Sequence, residues 1–292
     1  MSIKDWPGGV VSKEQVVPSG PYLDSTASGI WTMDQAANYT KQGIWPTAGN
    51  VEPDVASVFS TYIYTGNNTT NQIINGIDLA GEGGMVWQKA RSTYAADYLL
   101  TDSVRGINGI LKSNSTAAEV TANSTHFQSW NSNGFTLGSG FAAYENFSGI
   151  VDGICSWTFR KAPKFFDVVT WAGNNTSGRE IAHNLGTTVG TILVKRTDGT
   201  ANWTIYHRSL GGTKNLQFDT GAATTVAGYW NNTEPTDTVF TLGNDGDVNA
   251  TGRSYVAYLF AHETDAGSMV QCGGYTGVYA GAEVNLGWQP QW

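Results

Sequence analysis

Two stretches of the sequence repeat one pattern, and this duplication restricts the fold more than any other feature. Each copy opens with an aromatic residue, a small residue and a glycine, at residues 64–66 and again at residues 171–173. The copies are about 105 residues apart, a period too long for a solenoid unit and suited to a whole β-sandwich domain. Two tandem β-domains are therefore predicted within the 292 residues.

The two copies also match at later segments. The matched pairs are residues 85–89 with 192–196, 102–106 with 207–211, 134–138 with 239–243, and the aromatic strands 155–159 with 255–260. These matches predict four regions: a leader at 1–58, a first β-sandwich repeat at 59–166, a second at 167–266, and the start of a third at 267–292.

The predicted third repeat breaks off early. It opens at residues 275–277, but the sequence stops at Trp-Gln-Pro-Gln-Trp, residues 288–292, where the earlier copies enter a core strand. A domain that stopped there would leave the hydrophobic face of its sheet unburied. We expect the polypeptide to continue beyond residue 292, in preference to a neighbouring subunit that completes the sheet.

The composition supports short strands and many turns. Charged residues make up 14% of the chain, against roughly a quarter in an average domain. Glycine, threonine, asparagine and serine take their place, and these residues suit pleated surfaces and tight turns. Asp-Gly at residues 198–199 separates two strand-like runs and predicts a β-hairpin. The predicted fold class is all-β: two tandem β-sandwich, jelly-roll-like repeats after an extended N-terminal leader with one short helix.

The single predicted helix lies in the leader. Thr32 and Gln35 fit a capping box, in which each side chain binds the backbone N–H of the other residue. Gly43 suits the end of a helix, so a helix is predicted over residues 33–42. Three tryptophans of the leader have too little regular structure around them to form a core: Trp6, Trp31 and Trp45.

Charge and hydropathy argue against two classes of partner. The net charge of −8 has the wrong sign to neutralise phosphates, so no nucleic acid partner is expected. No stretch approaches the roughly 20 apolar residues of a membrane span, so no membrane insertion is expected. Residues 1–7 lack the apolar core of a signal peptide, and we expect synthesis and folding in the cytoplasm.

The sequence contains no familiar catalytic or cofactor motif. It lacks Gly-x-Ser-x-Gly, His-Glu-x-x-His, the phosphate-binding loop and Cys-x-x-Cys. Its cysteines, Cys155 and Cys272, fit buried reduced thiols. Residues 244–249 alternate oxygen-bearing side chains, but they lack the spacing of a calcium loop and predict a polar hairpin tip. We therefore expect no enzyme activity, no cofactor and no metal site.

Several stretches resemble a known group of phage proteins. Residues 28–46, with Ser-Gly-Ile-Trp-Thr-Met-Asp-Gln and then Ile-Trp-Pro, look like the N-terminal segment of predicted tail fibre and virion structural proteins of marine and freshwater phages. Residues 157–169, 183–196 and 202–211 are similar to the repeated β-domain of the same cyanophage- and pelagiphage-like proteins. The resemblance covers nearly the whole chain, and its motifs are structural, with no catalytic residue to transfer.

The resemblance implies a structural subunit of the virion tail that is made in the host cytoplasm and contributes to host adsorption. Its expected partners are other phage tail proteins, and a homo-oligomer is expected, with a trimer favoured. The leader is expected to dock on the virion or to pack on its own first domain. The candidate docking residues are Trp6, Trp31 and Trp45.

Aromatic side chains beside loops are candidate contacts for a host surface glycan. Their rings stack on sugar rings, and the side chains have few torsions to immobilise. Tyr229 and Trp230, next to the asparagine-rich residues 231–233, fit this role best, together with Trp203.

Two alternative functions stay open at this stage. A polysaccharide-degrading tailspike needs two facing carboxylates roughly 5–10 Å apart. Four acidic residues are available for such a pair: Asp219, Glu234, Asp245 and Asp247. A free lectin-like glycan-binding module needs only the aromatic contacts.

Overall fold

The structure is a computed structural model that describes residues 15, 17, 29–42, 45, 54–91, 96–121, 126–140, 145–218, 224–225, 227–264, 268–279, 281 and 283–286. It is 37% strand and 9% helix, with several antiparallel sheets, which confirms the predicted all-β class. No helix in the described part of the chain is long and apolar enough to cross a membrane. The chain divides into two compact units, Met1–Asp54 and Val55–Trp292.

The first unit contains the predicted helix, α1, Met33–Lys41. The capping box at its start is confirmed: the backbone N–H of Gln35 donates to Thr32 Oγ1 over 3.2 Å, and that of Thr32 donates to Gln35 Oε1 over 2.9 Å. Trp31 makes edge-to-face contacts with Tyr39 and Trp45, at centroid distances of 5.4 and 5.5 Å. Two predicted positions, Trp6 and Gly43, lie outside the described residues.

The second unit begins with a short helix that precedes the first repeat. Helix α2, Val55–Val58, places Val58 in the core, so residues 55–58 belong with the β-structure and not with the predicted leader. The strands of the first repeat are β1 Phe59–Tyr64, β2 Asn71–Ile74, β3 Gly84–Ala90, β4 Leu99–Asp102, β5 Gly109–Lys112, β6 Val120–Thr121, β7 Phe127–Asn131, β8 Gly134–Leu137 and β9 Ile154–Arg160.

The second repeat follows after a short connection. Its elements are β10 Phe166–Ala172, β11 Arg179–Ala182, β12 Val189–Arg196, β13 Thr204–His207, β14 Lys214–Gln217, β15 Thr224–Thr225, α3 Ala227–Trp230, β16 Val239–Leu242, α4 Gly246–Asn249 and β17 Ser254–Ala261.

The strand order is the same in both repeats. Each has a large six-stranded sheet, in the order β1-β9-β3-β4-β5-β6 in the first and β10-β17-β12-β13-β14-β15 in the second. Each also has a small sheet, β2-β8-β7 and β11-β16. The copies differ at two places in the described residues: the helix α3 stands where the first repeat has the strand β7, and the helix α4 has no counterpart between β8 and β9. The duplication read from the sequence is therefore present in the topology.

The predicted match of residues 85–89 with 192–196 is wrong by one residue. Met85 of β3 corresponds to Thr191 of β12, because each lies opposite the phenylalanine of the neighbouring strand. A slip of one residue along a strand exchanges its two faces. Met85 belongs to the core between the repeats, whereas Ile192 belongs to the outer core of the second repeat.

In the described part of the chain, the sheets stack in four layers with three large hydrophobic cores and one small cluster of Leu99 and Ile110. An outer core lies between the large and small sheet of each repeat, around Phe135 in the first and Phe240 in the second. A third cluster, the shared core, lies between the two large sheets and takes Met85 from the first repeat and Tyr258 from the second. The central strands of each large sheet are thus covered on both faces, and one hydrophobic cluster holds the two copies together.

The connection between the repeats is part of the shared core. Residues 161–165 carry Ala162 and Phe165, both of which are buried there. The backbone N–H of Ala162 donates to the carbonyl of Phe166 over 3.0 Å. A linker buried in this way fixes one repeat against the other, unlike the exposed linkers that separate mobile domains.

A buried asparagine anchors one loop in each repeat. The loops share the sequence Gly-Asn-Asn-Thr, at residues 66–69 and 173–176. The asparagines are Asn146 and Asn249, and each side-chain amide donates to the carbonyl of the loop threonine and to that of a glycine after the small-sheet strand. Each side-chain oxygen accepts the backbone N–H of the first loop asparagine over 3.1 Å.

Two local predictions have opposite outcomes. The hairpin around residues 198–199 is confirmed, since β12 and β13 pair antiparallel. The predicted polar hairpin tip at residues 244–249 is wrong, because this segment contains the helix α4 with Asp245 as its N-cap. The Asp245 carboxylate accepts the backbone N–H of Asp247 over 2.8 Å, a bond that favours a helix start over a hairpin turn.

The segment of the predicted third repeat has no strand among its described residues, 268–279, 281 and 283–286. Its aromatic opening residue, Tyr275, is 72% exposed. Cys272 contacts the second repeat, where its thiol donates to the carbonyl of Ala261 over 3.6 Å. Both cysteines are free and partly buried, and burial raises the pKa of Cys155 and raises that of Cys272 to about 11. The third repeat itself stays a prediction.

Candidate functional site

A cavity of about 660 Å³ lies where the two repeats meet. Its volume falls within the range of small-molecule sites, which is roughly 300–1,000 Å³. We call it the seam cavity. Its lining residues come from both repeats: Trp87, Tyr98, Ser113, Asn114, Ser115 and Thr116 from the first, and Trp203 and Phe218 from the second.

The duplication explains why aromatic rings from both repeats meet here. Asp102 corresponds to His207, since each pairs with the equivalent residue of its neighbouring strand. Counting back along β4 and β13 places Tyr98 at the position equivalent to Trp203. Both residues immediately precede a core strand. The seam cavity is therefore lined by the same strand ends of the two copies.

Trp203, a predicted glycan contact, forms a wall of the seam cavity but is only 2% exposed. Its indole N–H donates to the carbonyl of Lys112 in the other repeat over 3.0 Å. Its ring stacks on Tyr258 at 6.3 Å and lies 5.6 Å from Phe218. The prediction of an exposed ring is therefore wrong, although the residue lies at the cavity.

Two rings at the seam cavity are exposed, and neither was singled out from the sequence. Tyr98 is 39% exposed and Phe218 is 43% exposed. The ammonium of Lys89 lies 4.6 Å from the ring centroid of Tyr98, a cation–π contact that limits the motion of this ring. The repeat could have identified Tyr98, because it is the equivalent of Trp203.

A polar wall completes the seam cavity. Asn114 accepts the backbone N–H of Tyr98 over 3.1 Å and donates its amide to Asp97 over 2.9 Å. Asp97 also pairs with Lys112 over 2.7 Å, and hydrogen bonding to this lysine lowers the pKa of the Asp97 carboxyl. These bonds hold the segment that carries Ser113 at the cavity wall. No charged side chain is among the lining residues found in the described part of the chain.

One polar atom of the cavity lining is unsatisfied. The indole Nε1 of Trp87 is buried and has no hydrogen-bond partner among the residues that the structure describes. A buried donor without a partner costs about 1–3 kcal/mol, so such groups are rarely left unpaired in folded proteins. This nitrogen has almost no solvent-accessible surface, so the N–H belongs to the packed wall and is closed to a molecule in the cavity.

Lys195 lies behind the polar wall and belongs to the contact between the repeats. Its side chain is fully buried, and the ammonium donates to the carbonyl of Thr116 over 3.1 Å. Burial lowers the pKa of Lys195 from 10.5 to about 8, although the Asp247 carboxylate opposes this change. The lysine therefore titrates near neutral pH in the folded protein and far above it in the unfolded chain.

This difference predicts a stability that rises with pH. Between about pH 8 and 10.5 the unfolded chain keeps a proton on Lys195 that the folded protein has released, so higher pH favours folding. From pH 7 to pH 9 the wild type should gain about 1 kcal/mol in the free energy of unfolding relative to Lys195→Met. Urea unfolding of both proteins at the two pH values measures this difference. Parallel pH profiles of the two proteins would contradict the assignment.

The other two predicted glycan contacts are buried away from the seam cavity. Tyr229 and Trp230 lie on α3 and belong to the outer core of the second repeat, where they are 8% and 1% exposed. The prediction placed them beside an exposed loop. The helix instead turns both rings inward, since α3 packs against the small-sheet strand β16.

Two of the acidic residues proposed for a tailspike, Glu234 and Asp245, have structural roles, and a third, Asp247, lies in the first turn of α4, where burial raises the pKa of its carboxyl. Glu234 accepts the hydroxyl of Tyr206 over 2.6 Å and the backbone N–H of Gly212 over 2.8 Å. Asp245 caps α4. Asp219 lies outside the described residues. Within the described part of the chain, no three histidine, cysteine or acidic side chains converge in a manner that would hold a metal ion.

Comparison with known proteins gives a family but no function. Residues 54–292 match the family model of a domain of unknown function, DUF7483. The chain belongs to the DUF7483 family. Searches of curated proteins and of solved structures found no match. The DUF7483 match begins at the boundary between the two compact units, so the DUF7483 region contains both repeats and the whole seam cavity.

Proposed function

We propose that this protein is a structural, non-enzymatic component of a bacteriophage tail, a fibre or fibre-like subunit that contributes to host adsorption. The observation that carries the proposal is the fusion of two topologically equivalent β-sandwiches through one shared core. A protein that transmits force or holds a fixed geometry needs such a rigid body. The resemblance of the sequence to phage tail proteins supports the same proposal.

Polar contacts between the repeats support the rigidity that this role requires. Arg105 of the first repeat donates to the hydroxyl of Tyr258 in the second over 2.9 Å, and this hydroxyl donates to Asp102 over 2.8 Å. The backbone N–H of Glu119 donates to the carbonyl of Thr197 over 2.8 Å. Directional bonds of this kind fix the register of one sheet against the other in a way that hydrophobic contacts alone do not.

The leader is the part proposed to attach the subunit to the virion. It forms a compact unit of its own, residues 1–54, and lies outside the DUF7483 match. Its aromatic cluster of Trp31, Tyr39 and Trp45 offers a surface of the kind that anchors protein interfaces. Other tail proteins are the proposed partners, and a trimer is the proposed oligomer.

Deletion of residues 1–50 from the phage-encoded protein tests this division of roles. We expect the shortened protein to keep its β-structure, because the unit from residue 55 onward has its own cores, and to be lost from the virion. Mass spectrometry of purified virions measures incorporation, and circular dichroism of the purified protein measures folding. Normal incorporation of the folded, shortened protein would refute the docking role of the leader. Absence of the full-length protein from virions would refute the tail proposal as a whole.

A lectin-like glycan-binding module is the second candidate, and the seam cavity favours it. This function differs from the first in where the protein acts, since a free lectin binds glycans without joining a virion. Detection of the full-length protein in purified virions separates the two. A polysaccharide-degrading tailspike would instead release reducing ends from host capsule or lipopolysaccharide, which a reducing-sugar assay measures.

A further inference from the structure

We propose that the seam cavity binds a short segment of a neutral oligosaccharide. This inference rests on the proposed role in host adsorption and names the class of ligand that the role would use. It depends on four features of the cavity: its exposed rings, its polar wall, its uncharged lining and its position between the repeats.

The exposed rings provide the apolar contacts. Tyr98 and Phe218 come from different repeats and are the two exposed aromatic residues of the lining. Pyranose rings present patches of C–H groups, and aromatic rings bury these patches at a low cost in side-chain entropy. Since the two repeats are fixed by the shared core, the rings are held in place before a ligand arrives, which reduces the entropy lost on binding.

The polar wall provides the directional contacts. The hydroxyl-bearing residues Ser113, Ser115 and Thr116 line the cavity as a continuous segment with Asn114. A small number of polar groups among apolar walls is the arrangement that orients a small ligand.

The charge of the site selects a neutral ligand over an acidic one. None of the eight lining residues is charged. Of the two lysines nearby in the described part of the chain, Lys112 is paired with Asp97 over 2.7 Å, and the ammonium of Lys89 is held by the Ala96 carbonyl and the ring of Tyr98. The protein as a whole carries −8, which repels polyanionic glycans, and a uronate or sulfated polymer would find only Lys89 to balance its charges here.

The test is binding of neutral trisaccharides to the full-length protein by titration calorimetry and saturation-transfer NMR. The probes are maltotriose, cellotriose and tri-N-acetylchitotriose, with trigalacturonate as the acidic counterpart. Three proteins are compared: the wild type, Tyr98→Ala/Phe218→Ala, and the control Tyr62→Ala. Tyr62 is 39% exposed, as Tyr98 is, and lies on the edge strand β1 outside the seam cavity.

We expect the wild type and Tyr62→Ala to bind at least one neutral probe equally, and the double variant to bind at least about tenfold more weakly. No binding of any neutral probe, equal binding by the double variant, or tighter binding of trigalacturonate would each overturn the proposal. Circular dichroism and thermal melting of each variant ensure that only folded proteins are compared.

These outcomes are independent of the tail proposal. Incorporation into virions is measured on phage particles and requires no glycan. If the protein is incorporated into virions normally but binds no glycan, only the proposed glycan site is refuted and the tail role is unaffected. If the protein binds a glycan but is absent from virions, the tail role is refuted and the glycan site is supported.

Discussion

Replacement of Arg105 by methionine is expected to lower the free energy of unfolding of the β-structure by about 3–5 kcal/mol. The guanidinium donates to Asp102 over 2.6 Å and also pairs with Glu119. The side chain of Asp102 is completely buried, so methionine would leave a carboxylate without its cation in the contact between the repeats. Removing one partner of a buried pair costs far more than the pair itself contributes.

The groups around Arg105 keep its guanidinium protonated. Burial alone lowers the pKa of the guanidinium, but the neighbouring Tyr258, Asp102 and Glu119 raise it, and the net pKa lies above the ordinary value. The pKa of Tyr258 is raised as well, first by its burial, so this residue stays a neutral phenol that donates to Asp102. Methionine therefore removes a permanent positive charge, at any pH at which the protein is folded.

Arg253→Met is the matched control for this change. Arg253 pairs with Asp198 over 3.7 Å, its side chain is half exposed, and a pair of this kind contributes about 1 kcal/mol or less. Urea unfolding followed by tryptophan fluorescence measures both variants. If Arg105→Met cost no more than Arg253→Met, the network between the repeats would contribute little to stability, and the proposed rigidity would lose its main polar support.

The duplication was visible in the sequence because both copies keep special backbone positions. Residues 102–106 were matched with 207–211, and the final glycines of these segments, Gly106 and Gly211, have φ of 87° and 74°. Glycine tolerates such angles far better than other residues, so the same residue recurs at the same turn. Local requirements of this kind can be read from one sequence.

The packing of one repeat on the other could not be read in the same way. Strands such as β3 alternate between two faces, and both faces carry apolar residues, so the pattern does not show which partner covers each face. The one-residue error in the predicted match of Met85 with Ile192 follows from this, since either residue suits a core. Hydrophobic periodicity predicts that a face is buried and leaves open what buries it.

The seam cavity depends on this same unpredicted packing. Trp203 was singled out as an aromatic residue beside a loop, but its burial follows from contact with Lys112, a residue of the other repeat. Tyr229 and Trp230 were misplaced because α3 replaces a strand of the first repeat, and four helical residues give no periodic signal. The sequence contains residue types suited to a site, while the fold determines which of them meet.

Replacement of Asn249 by alanine is the second large effect expected, a loss of about 3–4 kcal/mol in the free energy of unfolding. The asparagine is fully buried and makes four side-chain hydrogen bonds. Its amide donates to the carbonyls of Thr176 and Gly243 over 2.9 and 3.0 Å, and its oxygen accepts from Asn174 and Arg179. Alanine would leave the two carbonyls and the backbone N–H of Asn174 without their partner.

A second substitution of Asn249 separates the effect of side-chain shape from the effect of hydrogen bonding. Asn249→Asp keeps the size of the side chain but replaces the amide donor with an oxygen that faces two carbonyls, so it should destabilise at least as much as alanine. Asn244→Ala is the matched control: this asparagine is exposed, and the same exchange should change stability by about 0.5 kcal/mol or less. A tolerated Asn249→Asp would show that packing, and not hydrogen bonding, determines the requirement here.

The equivalent change in the first repeat extends this prediction to the duplication itself. Asn146 holds the loop at residues 66–69 as Asn249 holds the loop at residues 173–176. Because three of the four hydrogen bonds and the burial agree, and the fourth donor is the Asn71 amide in place of the Arg179 guanidinium, Asn146→Ala should cost about the same as Asn249→Ala, within roughly 1 kcal/mol. Since the repeats share a core, each variant should still unfold in a single transition. Two separate transitions would show that the copies unfold independently, and the rigid-body argument for a tail component would then fail.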